Sequence, residues 1–69
     1  MVTKTYKMLD LIGTSDKSVE DAINSAVALA AKTVRHIDWF EVKELRGSIA
    51  DGKVAQFQVK FQIGFRLEE

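Results

Sequence analysis

The chain has 69 residues, with ten Lys and Arg against ten Asp and Glu, no cysteine and one histidine. This excludes disulfides, thiolate metal sites and a histidine-based metal cluster. The balanced charge argues against a general nucleic-acid binder, which carries its basic residues in excess on one face.

A single domain near this length buries only about 60% of the surface its unfolded chain exposes. With disulfides and metal excluded, oligomerisation is the expected source of further burial. The opening segment MVTKTYKMLDLIGTS has no apolar run long enough for an export signal or a membrane span. The expectation is a cytoplasmic protein with no membrane partner.

In chain order, the first element is a strand over 2–12, rich in Val, Thr, Tyr and Leu. Its alternation is too irregular to assign faces. Gly13-Thr14-Ser15-Asp16 reads as a turn ending it. A helix follows, because Val19, Ala22, Ile23, Ala26, Val27, Ala30 and Val34 form one stripe at 3.6-residue spacing. Asp21, Asn24, Lys32 and Arg35 lie opposite that stripe. Ser18 suits the N-cap, and Asp21 three residues on approximates a capping box. Glu20 and Asp21 complement the positive end of the helix dipole, while Lys32, Arg35 and His36 complement the negative end.

Two strands complete the chain. The first begins with the run Ile37 to Gly47, IDWFEVKELRG, and Asp51-Gly52 is a hairpin signal after it. In the second, Phe57, Val59, Phe61, Ile63, Phe65 and Leu67 alternate with Gln56, Gln58, Lys60, Gln62, Gly64 and Arg66. The predicted class is α+β, in β-α-β-β order, with one helix covering one face of a three-stranded antiparallel sheet.

The other face of that sheet is then open. It carries the only tryptophan, Trp39, beside Glu41 and Lys43, with glutamines on the neighbouring strand. The hairpin places Gly64 opposite Trp39, so that one side of the indole has no neighbouring side chain. A flat ring, space beside it and amides nearby suit a planar heterocycle with a hydrogen-bonding edge. The same tryptophan also suits an anchor between subunits. The two readings are compatible if a ligand sits between subunits.

Arg46 can take a phosphate through a bidentate contact or serve as a surface cation. Gly47 after it reads as a bulge or bend. Glu41, Glu44 and Asp51 show no pairing for acid–base work, and Thr14, Ser15 and Ser18 read as turn and cap residues. No phosphate-binding glycine motif or nucleophile motif is present. No catalytic residue is assigned.

The segments LIGTS, DWFEVKELRG and FQVKFQIGFRLEE resemble the bacterial dodecins, small flavin-binding proteins, and the resemblance runs along essentially the whole chain. It implies that residues 1–69 form a single flavin-binding domain, with the sheet partly wrapped around the helix. It further implies a hollow homododecamer of cubic 23 symmetry, with flavins paired at the two-fold axes and sandwiched by a tryptophan from each of two subunits. Trp39 matches that tryptophan, and Gln58 matches a glutamine that hydrogen-bonds the flavin pyrimidine edge. An arginine at the position of Arg46 lines the site, and Arg66 matches the family's C-terminal segment as a phosphate or assembly contact.

FMN is the flavin the resemblance favours, with riboflavin and FAD as alternatives and coenzyme A as a second ligand of some members. The implied function is storage of flavin, and its photoprotection by electron transfer from Trp39, without turnover. Two rivals stand against this. One is a small RNA-binding module that stacks bases on the open sheet face. The other is a flavoenzyme, which needs a substrate face on the ring that a stacked pair does not leave.

Overall fold

The structure, a computed structural model, describes residues 3–68. Its elements are β1 (Tyr6–Ser15), α1 (Val19–Ala30), β2 (Ile37–Ala50) and β3 (Lys53–Arg66). The sheet is antiparallel in the order β1-β3-β2, so the last strand lies in the middle. The expected α+β class and β-α-β-β order both hold.

The central strand sets the rest. The apolar set of β3 faces α1, and Val59, Phe61 and Ile63 are fully buried there with Ala22 of the helix. Each large side chain so buried stabilises the fold by about 1.5–3 kcal/mol. The small residues of α1 let it approach closely. At Gly13, opposite Val59 on β3, a Cβ would overlap the carbonyl oxygen of Ala22 and lie 3.2 Å from Ala26 Cβ. Only a glycine lets helix and strand meet there.

Three local expectations are corrected. Val2 of the anticipated first strand lies outside the described residues, and that strand starts only at Tyr6. It also continues through Gly13, Thr14 and Ser15, which pair with Val59, Gln58 and Phe57. The long β3 supplies partners that outweigh their turn tendency. The helix is shorter than its apolar stripe. Lys32 and Thr33 donate their N–H groups to Leu29 and Ala30, closing a tight turn after Ala30. Lys32, Arg35 and His36 therefore lie beyond the last turn. Third, Gly47 pairs regularly with Phe57, and the nearby irregularity falls between Ser48 and Ile49.

Ser18 is the N-cap, as expected, and its hydroxyl accepts from the Asp21 N–H at 2.9 Å. The Asp21 carboxylate is engaged elsewhere, accepting from the Ser15 hydroxyl at 2.6 Å. Ser15 Oγ in turn accepts from the backbone N–H groups of Lys17 and Ser18. The capping box is thus relayed through the last residue of β1, which ties strand to helix. At the hairpin, Asp51 (φ 54°) and Gly52 (φ 74°) both take positive φ, as a two-residue type I′ turn requires.

The molecule is a ribbon of 56 × 21 × 13 Å. The α1 backbone comes close to β1 and β3 and not to β2. Phe40, Val42 and Leu45 pair with Ile63, Phe61 and Val59, so they lie on the helix side of the sheet, yet each remains exposed. A single chain leaves this apolar face of β2 uncovered, in line with the expectation from length that one copy does not complete its own core. No described helix is long and apolar enough to cross a membrane.

Candidate functional site

The face of the sheet away from α1 follows from the register. Tyr6, Met8, Asp10, Ile12 and Thr14 of β1 lie opposite the even-numbered residues of β3. On β2, Trp39 pairs with Gly64 and Glu41 with Gln62. Strict alternation along β2 would then send Arg46 to the helix side. A β-bulge between Val42 and Glu44 adds one residue and reverses the phase, so Glu44 pairs with Lys60 and Arg46 with Gln58. Trp39 and Arg46 thereby share the open face.

At one end of that face stands Trp39. The expected pairing with Gly64 holds, but the space at Gly64 is not left open. A Cβ there would overlap Trp39 Cζ2 and lie 2.5 Å from Cε2 and Cη2, so the indole itself lies flat over the glycine. The Tyr6 ring abuts the indole edge-on, with centroids 5.0 Å apart and planes at 71°. Trp39 Nε1–H donates to Glu41 Oε2 at 3.1 Å, and Lys43 Nζ lies 3.6 Å from Glu41 Oε1. The indole hydrogen bond, and then the Lys43 charge, hold the Glu41 carboxyl below its ordinary pKa. The ring is clamped below and at its edge, yet 38% exposed, which leaves its outer face to solvent.

Arg66 belongs to this end, opposite Tyr6 on β1. Its guanidinium Nη2 donates to His36 Nδ1 at 3.2 Å, and His36 Nε2 lies 2.9 Å from Glu68 Oε1.

Gln58 and Arg46 stand together as a register pair near the other end, with Thr14 across β3 from them. The Gln58 side-chain NH2 donates to Gln56 Oε1 at 2.9 Å. Ile12, Glu44, Arg46, Gln58 and Lys60 line a shallow cavity of about 160 Å³. Gln58 precedes Gly64 by six residues, which along a strand is about 20 Å. Between the two ends, Gln62 Nε2 donates to Asp10 Oδ1 at 2.9 Å.

One chain therefore gathers the four expected site residues into two groups, Trp39 with Arg66 and Gln58 with Arg46. Sequence reasoning missed two members of the aromatic end. Tyr6 escaped because β1 alternates poorly. Glu41, read as a solvated charge, is the acceptor that fixes the indole. Its two-residue spacing from Trp39 on one strand was the available signal.

A family model described as Dodecin matches residues 5–68 of the chain. The chain is 54% identical over 66 residues to a dodecin from Thermus thermophilus, covering 96% of each sequence. A crystal structure of a Thermus thermophilus protein superposes with a TM-score of 0.92 at 54% identity, over 97% of this chain and 98% of that one. A dodecin structure from Streptomyces coelicolor superposes with the same score at 48% identity, over 100% and 99% of the two chains.

Proposed function

This chain belongs to the dodecin family, and on that premise we propose that it binds flavin, FMN foremost, and stores it without turnover. Residues 1–69 act as one flavin-binding domain in a cytoplasmic homododecamer. The observation that carries this reading is the division of the open face into two halves. The Trp39 end offers a held, flat aromatic surface, and the Gln58 end offers an amide and a guanidinium.

A second copy laid face to face and antiparallel about a two-fold axis sets the Trp39 end of one chain against the Gln58 end of the other. Two equivalent sites result. In each, the isoalloxazine stacks on Trp39, its pyrimidine edge meets Gln58, and Arg46 supplies positive charge beside it. The facing site holds the second flavin, so the pair is enclosed between two tryptophans. Arg66, at the rim of the aromatic end, takes the phosphate of FMN. Riboflavin, which lacks that phosphate, and FAD, which carries a larger tail, are accepted on the same ring contacts. Coenzyme A is a further candidate ligand of the assembled shell, with no residue here assigned to it.

Stacking places the indole in van der Waals contact with the ring. Electron transfer from Trp39 to the excited flavin then outruns fluorescence and photochemistry. Enclosure on both faces leaves no place for a substrate, so the bound flavin is protected from redox partners as well.

The test is a fluorescence titration of FMN with the purified protein, its mass read by light scattering. Quenching that saturates near one flavin per chain, on a particle of about twelve chains, supports the reading. Trp39→Ala should assemble normally and lose most of the quenching, with affinity lower by about 1–3 kcal/mol. Binding of FMN by that variant at wild-type strength sinks the reading.

A further inference from the structure

Arg66 is not simply an exposed cation at the end of a strand. Its backbone N–H donates to the His36 carbonyl at 3.0 Å, and its guanidinium donates to the His36 ring at 3.2 Å. The two residues are thus joined twice. His36 has φ 61°, the left-handed region that non-glycine residues adopt sparingly. That backbone conformation brings the ring round to the arginine.

The tautomer follows from the donors. A guanidinium only donates, so Nδ1 of His36 must accept, and the ring proton lies on Nε2. There it faces Glu68 Oε1 at 2.9 Å. Glu68 also lies 3.6 Å from Arg35 Nη1. The chain Glu68–His36–Arg66 is a relay of fixed polarity, with the carboxylate orienting the imidazole and the imidazole orienting the guanidinium. One N–H of Arg66 is used in this way, and the remaining donors of the fork can engage an anion.

We propose that His36, held by Glu68, is a positioning residue for Arg66 and thereby sets the preference for phosphate-bearing over phosphate-free flavin. Arginine side chains carry large rotamer entropy, and a guanidinium already held in place loses less on meeting its anion. The relay supplies that preorganisation next to Tyr6 and Trp39, where the ring of the ligand stacks. The inference rests on the flavin reading above and names the part of the site that discriminates among flavins.

The test compares FMN with riboflavin, titrated by fluorescence against the assembled protein and its variants. His36→Asn tolerates the left-handed backbone and keeps an oxygen acceptor near the place of Nδ1. His36→Gly relaxes the backbone and removes the acceptor. Glu68→Ala, at an exposed site after the last strand, leaves the fold untouched and loosens the imidazole.

Arg66→Ala and His36→Gly should each lower the ratio of FMN to riboflavin affinity by about fivefold or more. Riboflavin binding should change little in both. His36→Asn should retain most of the wild-type ratio, and Glu68→Ala should fall between. If Arg66→Ala lowers the ratio while His36→Gly and Glu68→Ala leave it at the wild-type value, His36 does not position the arginine and the inference is overturned. If Arg66→Ala itself changes nothing, the assignment of Arg66 to the phosphate falls, and the role of His36 falls with it. Failure of the wild type to bind either flavin would instead overturn the flavin reading.

Discussion

Gly13 and Gly64 lie on opposite faces of one sheet and solve the same steric problem for different ends. At Gly13 the absent side chain admits the backbone of α1, which seals the core at Ala22. At Gly64 it admits the indole of Trp39, which the strand then carries as a flat platform. The first contact is backbone against backbone in a fully buried seam. The second is a side chain on an exposed face that still has room to move. An added methyl group should therefore cost the fold at one position and the site at the other.

Three substitutions probe that contrast. The largest effect is expected at Gly13→Ala, where neither the Ala22 carbonyl nor the strand can yield without separating helix from sheet. Overpacking of this kind costs about 3 kcal/mol, so thermal unfolding should fall by about 10 °C or more, and assembly should weaken with it. An unchanged melting temperature would show that the seam is not as tight as the geometry requires.

Gly64→Ala comes next. The methyl group must lift the indole from the sheet, while the core residues Val59, Phe61 and Ile63 keep their places. Stability should stay close to wild type, and FMN affinity should drop by about tenfold or more. Full affinity with full quenching in this variant would mean that the platform does not depend on the glycine beneath it.

The smallest effect concerns the acceptor of the indole. The carboxyl of Glu41 lies below its ordinary value of 4.5 because Trp39 N–H and then Lys43 favour the charged form. A depressed folded-state pKa means that the contribution of this contact is present above the unfolded value and is lost as pH falls through the lower, folded one. The tryptophan emission of the apo protein should therefore shift in acid with a midpoint below 4.5. In Glu41→Gln, whose amide oxygen still accepts from the indole, that acid shift should be absent. A shift centred at or above 4.5 in the wild type, or an identical one in Glu41→Gln, would remove Glu41 as its source.

Much of this architecture was legible in the chain. The helix stripe, the Asp51-Gly52 turn and the alternation of β3 are periodic signals spanning many residues, and each survived folding. So did the pairing of Trp39 with Gly64, because the bulge between Val42 and Glu44 on β2 offsets the irregularity between Ser48 and Ile49, where β3 carries the extra residue. The failures were of two kinds. The ends of β1 and α1 were set by partners remote in sequence. Thr14 and Ser15 became strand because β3 reaches them, and the helix closed at Ala30 although its apolar pattern ran to Val34.

The second kind is a single inserted residue. The bulge between Val42 and Glu44 decides that Arg46 shares a face with Trp39, and no local motif announces it. Spacing also suggested that Gly64 would leave a void beside the ring. Only the packed structure reveals that the ring fills it. The candidate residues were named from the sequence, whereas their separation into two groups along β3 was not visible there.

That separation is the central claim, because it makes each chain two halves of different sites. The direct measurement is to unfold and co-assemble an equimolar mixture of Trp39→Ala and Gln58→Ala chains and titrate it with FMN, beside each variant assembled alone. If Trp39 of one copy works with Gln58 of the facing copy, a mixed pair regains one site with both residues intact. The mixture should then recover tight, quenched binding at a minority of its sites, which neither variant gives alone. A mixture that co-assembles yet binds only as the average of the two separate variants would contradict the account, since both residues would then have to act from the same chain.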